Sequence, residues 1–377
     1  MKAVKANLLY DGRSSQKDVY IEFDGTTIRN ISQKKPECDI VAEGIVTPAF
    51  IDPHSHIGLD RAGEPGSESE ANDKLDSMIP LGRAVDGVYM DDHAFRESVE
   101  SGVLYSVVLP GSGNIIGGMG SLIRNFSSNI KDALVTDIGV KMALGYNPRS
   151  TTEWKGKRPT TRMGVGAIIR EKFTMAQKAS NLLDSGKKTL DEIDVETEFL
   201  IKLIKGEYRI MCHLHKEDDA LFLMSLVDKF WIKPIINHGM DFHSKDIFDE
   251  IKRRDLSLVY GPLDSHPYKV ELKHESWRNV GLVQNSGVRF SLISDHPVIL
   301  QRTLFLTTRH FMRFGATKEQ CISYVSSRPA EILGLKDLGT VEKGKLASFS
   351  VWNKDPFELD AYPKFVFGEG KLVHEEN

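Results

Sequence analysis

The stretch Gly44-Ile45-Val46-Thr47-Pro48-Ala49-Phe50-Ile51-Asp52-Pro53-His54-Ser55-His56 is an apolar run that ends in His-Ser-His. Residues i and i+2 of a strand share a face, so a strand over residues 45–51 would aim both imidazoles at one point beyond its carboxyl end. Chemistry in (β/α)8 barrels sits at that end of the strands. From residue 45 onward, short β-branched runs give way repeatedly to longer segments with helical spacing, the pattern of parallel strands joined by crossover helices. Further strands are predicted at residues 103–109, 138–144, 208–213, 234–238, 256–260 and 288–294. Seven clear strands leave one of eight weakly marked, near Leu122 or Leu134. Apolar residues three or four apart predict covering helices at 195–204, 218–230, 244–254 and 299–314.

The ends of the chain read differently. Residues 1–31 form short strands around Asp11-Gly12 and Asp24-Gly25, and residues 346–371 read the same way. Each end alone offers too few strands to bury a face, so both are expected to build one small β domain. The predicted division is a composite domain from 1–46 and 346–377 and a barrel from 47–345. A length of 377 residues suits two such units.

Hydrophobic residues at 40% and charged residues at 27% describe a soluble globular chain. The net charge of -4 includes no concentrated basic tract, so no nucleic-acid partner is expected. Cys38, Cys212 and Cys321 are far apart and form no C-x-x-C pair, which argues against a disulfide framework and a thiolate zinc site. The amino terminus lacks a signal-peptide apolar core, and no segment approaches the ~20 apolar residues of a membrane span. A cytoplasmic protein with no membrane association is expected, acting on a small polar substrate, with a homo-oligomer left open.

The strand-end pattern recurs. Tyr208-Arg209-Ile210-Met211-Cys212-His213-Leu214-His215 ends in a second His-x-His. His213 is the better ligand candidate, since His215, before Lys216-Glu217-Asp218-Asp219, can instead cap the following helix or orient a ligand. Pro234-Ile235-Ile236-Asn237-His238 repeats the arrangement. Ser294-Asp295-His296-Pro297 places Asp295 at the last strand end, where it can bind a metal, shuttle a proton or start a helix.

The ordered set Thr47-Pro48-Ala49-Phe50-Ile51-Asp52-Pro53-His54-Ser55-His56, Leu109-Pro110-Gly111-Ser112-Gly113-Asn114, Lys141-Met142-Ala143-Leu144-Gly145, Thr161-Arg162-Met163-Gly164, His213-Leu214-His215, His238-Gly239, Ser294-Asp295-His296-Pro297 and Arg328-Pro329-Ala330-Glu331 spans nearly the whole chain. It resembles the amidohydrolase superfamily and, within it, the imidazolonepropionase-related group. The resemblance implies an α/β fold, a (β/α)8 TIM barrel with a small β-sandwich built from both termini. It implies a divalent metal, zinc before iron, manganese or nickel, held by His54, His56, His213 and Asp295. His238 would then hold a second metal or polarise the substrate. Water activated on the metal would attack a C–N substrate, a cyclic amide, an amidine or a deamination substrate, with Asp295 carrying the proton to the leaving nitrogen.

Departures from the group's pattern bear on this reading. Tyr146 stands where Glu is frequent, so one tightly bound ion is favoured over two unless Lys141 becomes carboxylated. The plainer reading of Lys141 is an ion-paired or substrate-contacting lysine. His266-Pro267-Tyr268 stands near a usual Arg, which makes His266 a candidate for substrate choice, and Ser348 stands where Asp is common. Asn114 is expected to donate to substrate from a long loop. Arg162 is expected to hold a substrate carboxylate or to pin its loop to a barrel carboxylate. The polar block 64–76 is a lid or a solvated loop. The alternative function is a degenerate ligand-binding or scaffold protein on the same fold; phosphoester hydrolysis lacks a basic phosphate clamp.

Overall fold

The computed structural model describes residues 1–150 and 155–376. Eight strands follow the first domain crossing: β5 (Phe50–Ser55), β6 (Val103–Val108), β7 (Ile116–Arg124), β8 (Leu134–Ala143), β9 (Ile210–Leu214), β10 (Pro234–His238), β11 (Ser257–Tyr260) and β12 (Arg289–Leu292). They lie side by side in chain order, the arrangement of a TIM-barrel-like α/β domain. Alternate residues pack in two directions. Cys212, Ile236, Leu258 and Leu292 join Leu223 and Phe248 of the surrounding helices. Met211, Ile235, Val259 and Ile51 pack together as the interior.

The weakly marked strand is β7, which contains Leu122 and runs antiparallel to both β6 and β8. Its Gly117, Gly118 and Gly120 hide the β-branched signature. Gly118 has φ +105, and a Cβ there would lie 2.2 Å from the carbonyl oxygen of Gly82, whose backbone crosses close by. One connection needs less than the expected helix. The stretch 299–314 is not one helix but two 3-10 turns, Gln301–Thr303 and Phe305–Thr308, followed by the short helix Arg309–Met312. Thr303, Thr307 and Thr308 each donate to the carbonyl three residues back at 2.7 Å, which favours the tighter turn. The helices Val195–Ile204, Glu217–Phe230 and Lys245–Arg253 form close to their predicted positions, each with a buried apolar stripe.

No ladder joins β12 to β5. That seam is bridged by Ile51 N to Val325 O at 2.8 Å, His56 N to His296 O at 2.9 Å and Asp295 N to His54 O at 3.1 Å. Asp52 lies in the seam and accepts from Ser294 N at 3.2 Å, from the Ser294 hydroxyl and from Gln301 Nε2 at 2.7 Å. Burial pushes its carboxyl up to about 6, although these three donors and His54 N, which donates at 3.2 Å, pull against that.

The termini build a separate sheet from β1 (Lys2–Tyr10), β2 (Ser15–Asp24), β3 (Thr27–Ser32), β4 (Asp39–Pro48), β13 (Phe349–Trp352), β14 (Pro363–Gly368) and β15 (Lys371–Glu375). The implied sandwich is a single hydrogen-bonded sheet in the order β15-β14-β13-β4-β1-β2-β3. Phe23 on β2 packs edge-on against Phe349 on β13 at 5.7 Å between ring centres. Three strand spacings of about 4.8 Å separate those strands in a flat sheet, so this contact requires the sheet to curl. Ser348, which stands where Asp is common, shares a hydrogen bond with the Tyr105 hydroxyl at 2.8 Å and accepts from Glu369 N at 2.9 Å. Among the described residues, no helix is long and apolar enough to cross a membrane.

Candidate metal centre

The carboxyl ends of the strands bring His54, His56, His213, His215, His238, Lys141 and Asp295 together. His54 lies within β5 and His56 follows it; His213 lies in β9 and His215 follows it; His238 is the last residue of β10. His238 has φ +80 and Asp295 has φ +51, left-handed conformations that are uncommon outside glycine and turn these side chains inward from the strand ends. Asp295 starts no helix; Val298 N bonds back to its carbonyl in a turn instead. His215 caps no helix either, because the helix Glu217–Phe230 begins after Lys216 and no side chain caps it.

Two donor triplets share His238. In one, ligand atoms of His54, His238 and Asp295 lie within 4.8 Å of one another; in the other, those of His213, His215 and His238 do. The resemblance implies one shell of His54, His56, His213 and Asp295; the ligand atom of His213 lies within 4.8 Å of those of His215 and His238. Rings of His213 and His238 are 4.4 Å apart, and those of His54 and His238 are 4.7 Å apart. His54 Nε2 and His56 Nε2 lie 3.2 and 3.3 Å from Asp295 Oδ1.

The tautomers suit metal ligands. His56 Nδ1–H donates to Leu109 O at 2.7 Å, and His238 Nδ1–H donates to Gly261 O at 2.9 Å, which leaves each Nε2 its lone pair. Buried His238 Nε2 has no hydrogen-bond partner, nor has Asn237 Oδ1. The Asn237 amide lies 2.7 Å from His54 Nδ1; turned by half a rotation, its orphaned oxygen accepts from Nδ1–H and frees His54 Nε2 as well. Burial, with the nearby Lys141 charge, lowers the His54 imidazole to about 3, and burial lowers His215 to about 4 and His213 and His238 well below the usual histidine range. These imidazoles are therefore neutral, as ligands must be. Burial alone would raise the Asp295 carboxyl, but His238, His54 and His56 together hold it well below the usual carboxylate range. Neutral imidazoles, one carboxylate and orphaned buried atoms fit a divalent cation, and they fit an ion-free core poorly.

Lys141 is completely buried on β8, with Nζ donating to His54 Nε2 at 3.1 Å. Among the described residues, no carboxylate lies within ion-pair distance of it, so the ion-paired reading is not what the structure shows. Burial, opposed by Asp295, lowers its ammonium to about 8.

Glu271 escaped the sequence reading. The Val270–Leu272 turn carries it into the centre, where it is 3% exposed. Its Oε2 accepts from Tyr146 N at 2.8 Å, while its Oε1 lies 3.9 Å from both His213 Nε2 and His215 Nε2 and has no hydrogen-bond partner. Lys269 Nζ is 3.9 Å from the same oxygen. Tyr146 itself is half-exposed and offers only its backbone. Asn147 adds an amide 3.3 Å from His213 Nε2.

The proposed substrate contacts separate. Asn114 is buried, and its amide donates to Asp73 O at 3.0 Å and Asp76 O at 2.9 Å, which ties the polar 64–76 loop to the barrel and leaves no hydrogen for a substrate. His266 is exposed, and its carbonyl accepts from Tyr268 N at 2.9 Å. Arg162 Nε donates to buried Asp219 at 2.7 Å, a contact that pins its loop, while its side chain stays 43% exposed with the rest of the guanidinium open to a ligand. It borders a cavity of about 290 Å³ that also touches Gly145, Arg170 and Phe222.

Residues 209–373 match the Amidohydrolase family. The curated amidohydrolase tasK of Hapsidospora irregularis is 24% identical over 379 residues, covering 91% of this chain and 38% of that protein's length. The chain thus spans under half of that relative. An amidohydrolase from Thermotoga maritima MSB8 superposes with a TM-score of 0.92 at 28% identity, over 100% of both chains. These findings support the amidohydrolase superfamily. A Xaa-Pro dipeptidase with bound methionine shares the fold, with a TM-score of 0.62 at 15% identity over 100% of each chain.

Proposed function

We propose that this amidohydrolase-like chain is a metal-dependent hydrolase of small polar C–N substrates, namely cyclic amides, amidines or deamination substrates as in the imidazolonepropionase-related group. The observation that carries this reading is the pair of buried donor groups, His54 with His238 and Asp295 and His213 with His215 and His238, that meet at His238, whose Nε2 is left without a partner. His238 has a single free nitrogen and can serve one ion. Full loading therefore assigns His213, His215 and His238 to one ion and His54, His56 and Asp295 to another. The expectation of one ion rested on the carboxylate missing at Tyr146, and Glu271 supplies a carboxylate beside the His213–His215 pair. Zinc suits these donors.

When bound, the ion supplies Lewis acidity and lowers the pKa of water. The chain's own groups do the rest. Asp295, ionised and adjacent to both His54 and His56, takes a proton from the attacking water and returns it to the leaving nitrogen. Lys141 contacts the substrate as an amine, or carries carbon dioxide as a carbamate, in which an N–C bond forms and one proton leaves. The exposed guanidinium of Arg162, beside its cavity, receives a substrate carboxylate. The degenerate-scaffold alternative loses its main support once Glu271 fills the role absent at Tyr146.

Metal analysis of the purified protein beside Asp295→Asn tests this, with both screened against cyclic ureides, imidazolones, N-acyl amino acids and aminopurines. We expect bound divalent metal in the wild type and turnover reduced by roughly a hundredfold or more in the variant. Wild type without metal, or a variant as active as wild type, would sink the mechanism.

A further inference from the structure

A second group of ligating side chains lies outside the centre. Asp241, three residues after His238, projects a nearly buried carboxylate, 2% exposed, between two half-exposed imidazoles, His243 and His274. One ligand atom from each of the three lies within 4.8 Å of the others. The two rings lie 4.2 Å apart and 34° from parallel. Stacking of two imidazoles beside a carboxylate presents ring nitrogens to the same small volume.

The hydrogen bonds fix which nitrogens remain. His243 Nδ1–H donates to Asp241 O at 2.7 Å, which leaves Nε2 its lone pair. His274 Nδ1 is 3.3 Å from Asp241 Oδ2, and its backbone N–H donates to Asp241 Oδ1 at 2.5 Å. Two further charges face the group: Lys216 Nζ, 3.7 Å from Asp241 Oδ2, and Glu217 Oε1, 3.5 Å from His243 Nδ1. The lysine competes with a cation and the glutamate favours one.

The structure assigns Asp241, His243 and His274 to a second, peripheral site for zinc or a similar borderline divalent ion, which clamps the segment bearing Glu271 to the loop that follows His238. Two imidazoles and one carboxylate form a zinc-type ligand set with positions left for water. The placement gives the ion its effect. His274 is three residues from Glu271, and Asp241 hangs from the barrel through its backbone N–H to His215 O at 3.2 Å. An ion here joins two loops that both carry residues into the centre, and holds Glu271 in place without touching substrate.

The test uses the protein as purified, with the metal in its buried centre counted first. Cobalt(II) and zinc are then titrated into wild type, His274→Gln and the His243→Ala/His274→Ala double variant; both side chains are half-exposed, and circular dichroism confirms that each variant is folded. Wild type is expected to bind one ion per chain more than the double variant, with a visible cobalt absorption band from nitrogen ligands. His274→Gln should bind that ion roughly tenfold or more weakly. Zinc should also slow hydrogen exchange across residues 268–275 in wild type and leave the double variant unchanged. Equal stoichiometry in wild type and the double variant, or unaltered exchange in wild type at saturating zinc, overturns the proposal. An unchanged central metal count in the double variant separates this outcome from a failure of the buried centre.

Discussion

Glu271 reaches the His213–His215 pair from a short turn, and its neutral isostere gives a direct measure of what its charge does. Glu271→Gln retains an acceptor for Tyr146 N but removes the anion beside two neutral imidazoles and Lys269. We expect bound metal to fall toward one ion per chain and turnover to drop by roughly tenfold or more, measured by metal analysis and steady-state kinetics. Metal content equal to wild type would refute the role given to this carboxylate. The histidines were legible because each stands at the end of an apolar run, where the period of a strand dictates direction. Glu271 was not, since Lys269-Val270-Glu271-Leu272-Lys273 alternates in charge like any solvated loop, and only tertiary approach buries it. His215 was discounted for the opposite reason: acidic residues after it advertise a helix start, and they obscured a side chain that belongs to the strand end. Asn114 lay next to a suggestive glycine loop, yet its amide meets backbone carbonyls far away in sequence.

Strands and loops fix the site through close approaches, and Gly145 at the end of β8 is the sharpest of these. It has φ +80, and a Cβ there would fall 2.6 Å from Glu271 Oε2 and 3.1 Å from Asp219 Oδ2. Gly145→Ala should therefore displace Glu271 and strain the turn. We expect a loss of about 1–3 kcal/mol in urea unfolding, with turnover reduced more than the stability change explains. An alanine variant with wild-type kinetics would show that the approach is looser than described. Six of the eight barrel strands could be read from apolar runs; the run 44–50 falls mostly in β4 of the terminal sheet, with β5 beginning only at Phe50, and β7 could not be read, because it is built around glycines required by the backbone of Gly82. Its reversed direction was equally hidden: chain direction is set by connection length, and short links on either side of β7 look like ordinary turns. The segment 299–314 keeps helical spacing, but its threonines bond to nearby carbonyls and tighten it into 3-10 turns.

At the scale of the whole molecule, the eight-stranded sheet is nearly closed, and the open side coincides with the chemistry. His54 and His56 belong to its first strand region and Asp295 to the stretch after its last, so an ion held by them spans the seam between β5 and β12. Chelation should thus weaken the fold as well as abolish activity. Free ion at a thousand times its dissociation constant stabilises a folded state by about 4 kcal/mol, and removing it should lower Tm by several degrees and speed hydrogen exchange at residues 50–56 and 289–296 first. Uniform exchange across the barrel after chelation would contradict this. Composition and patterning could predict a barrel and a domain made from both ends, because burial of apolar faces leaves few alternatives. They could not reveal that the second domain is one curled sheet or that the barrel has a seam, since both depend on which edges go unpaired. If the proposed ion latches the seam, its supply becomes a matter of protein lifetime. A cell starved of the ion would present proteases with an unlatched cylinder, and the amount of enzyme, not merely its rate, would follow the metal available to it.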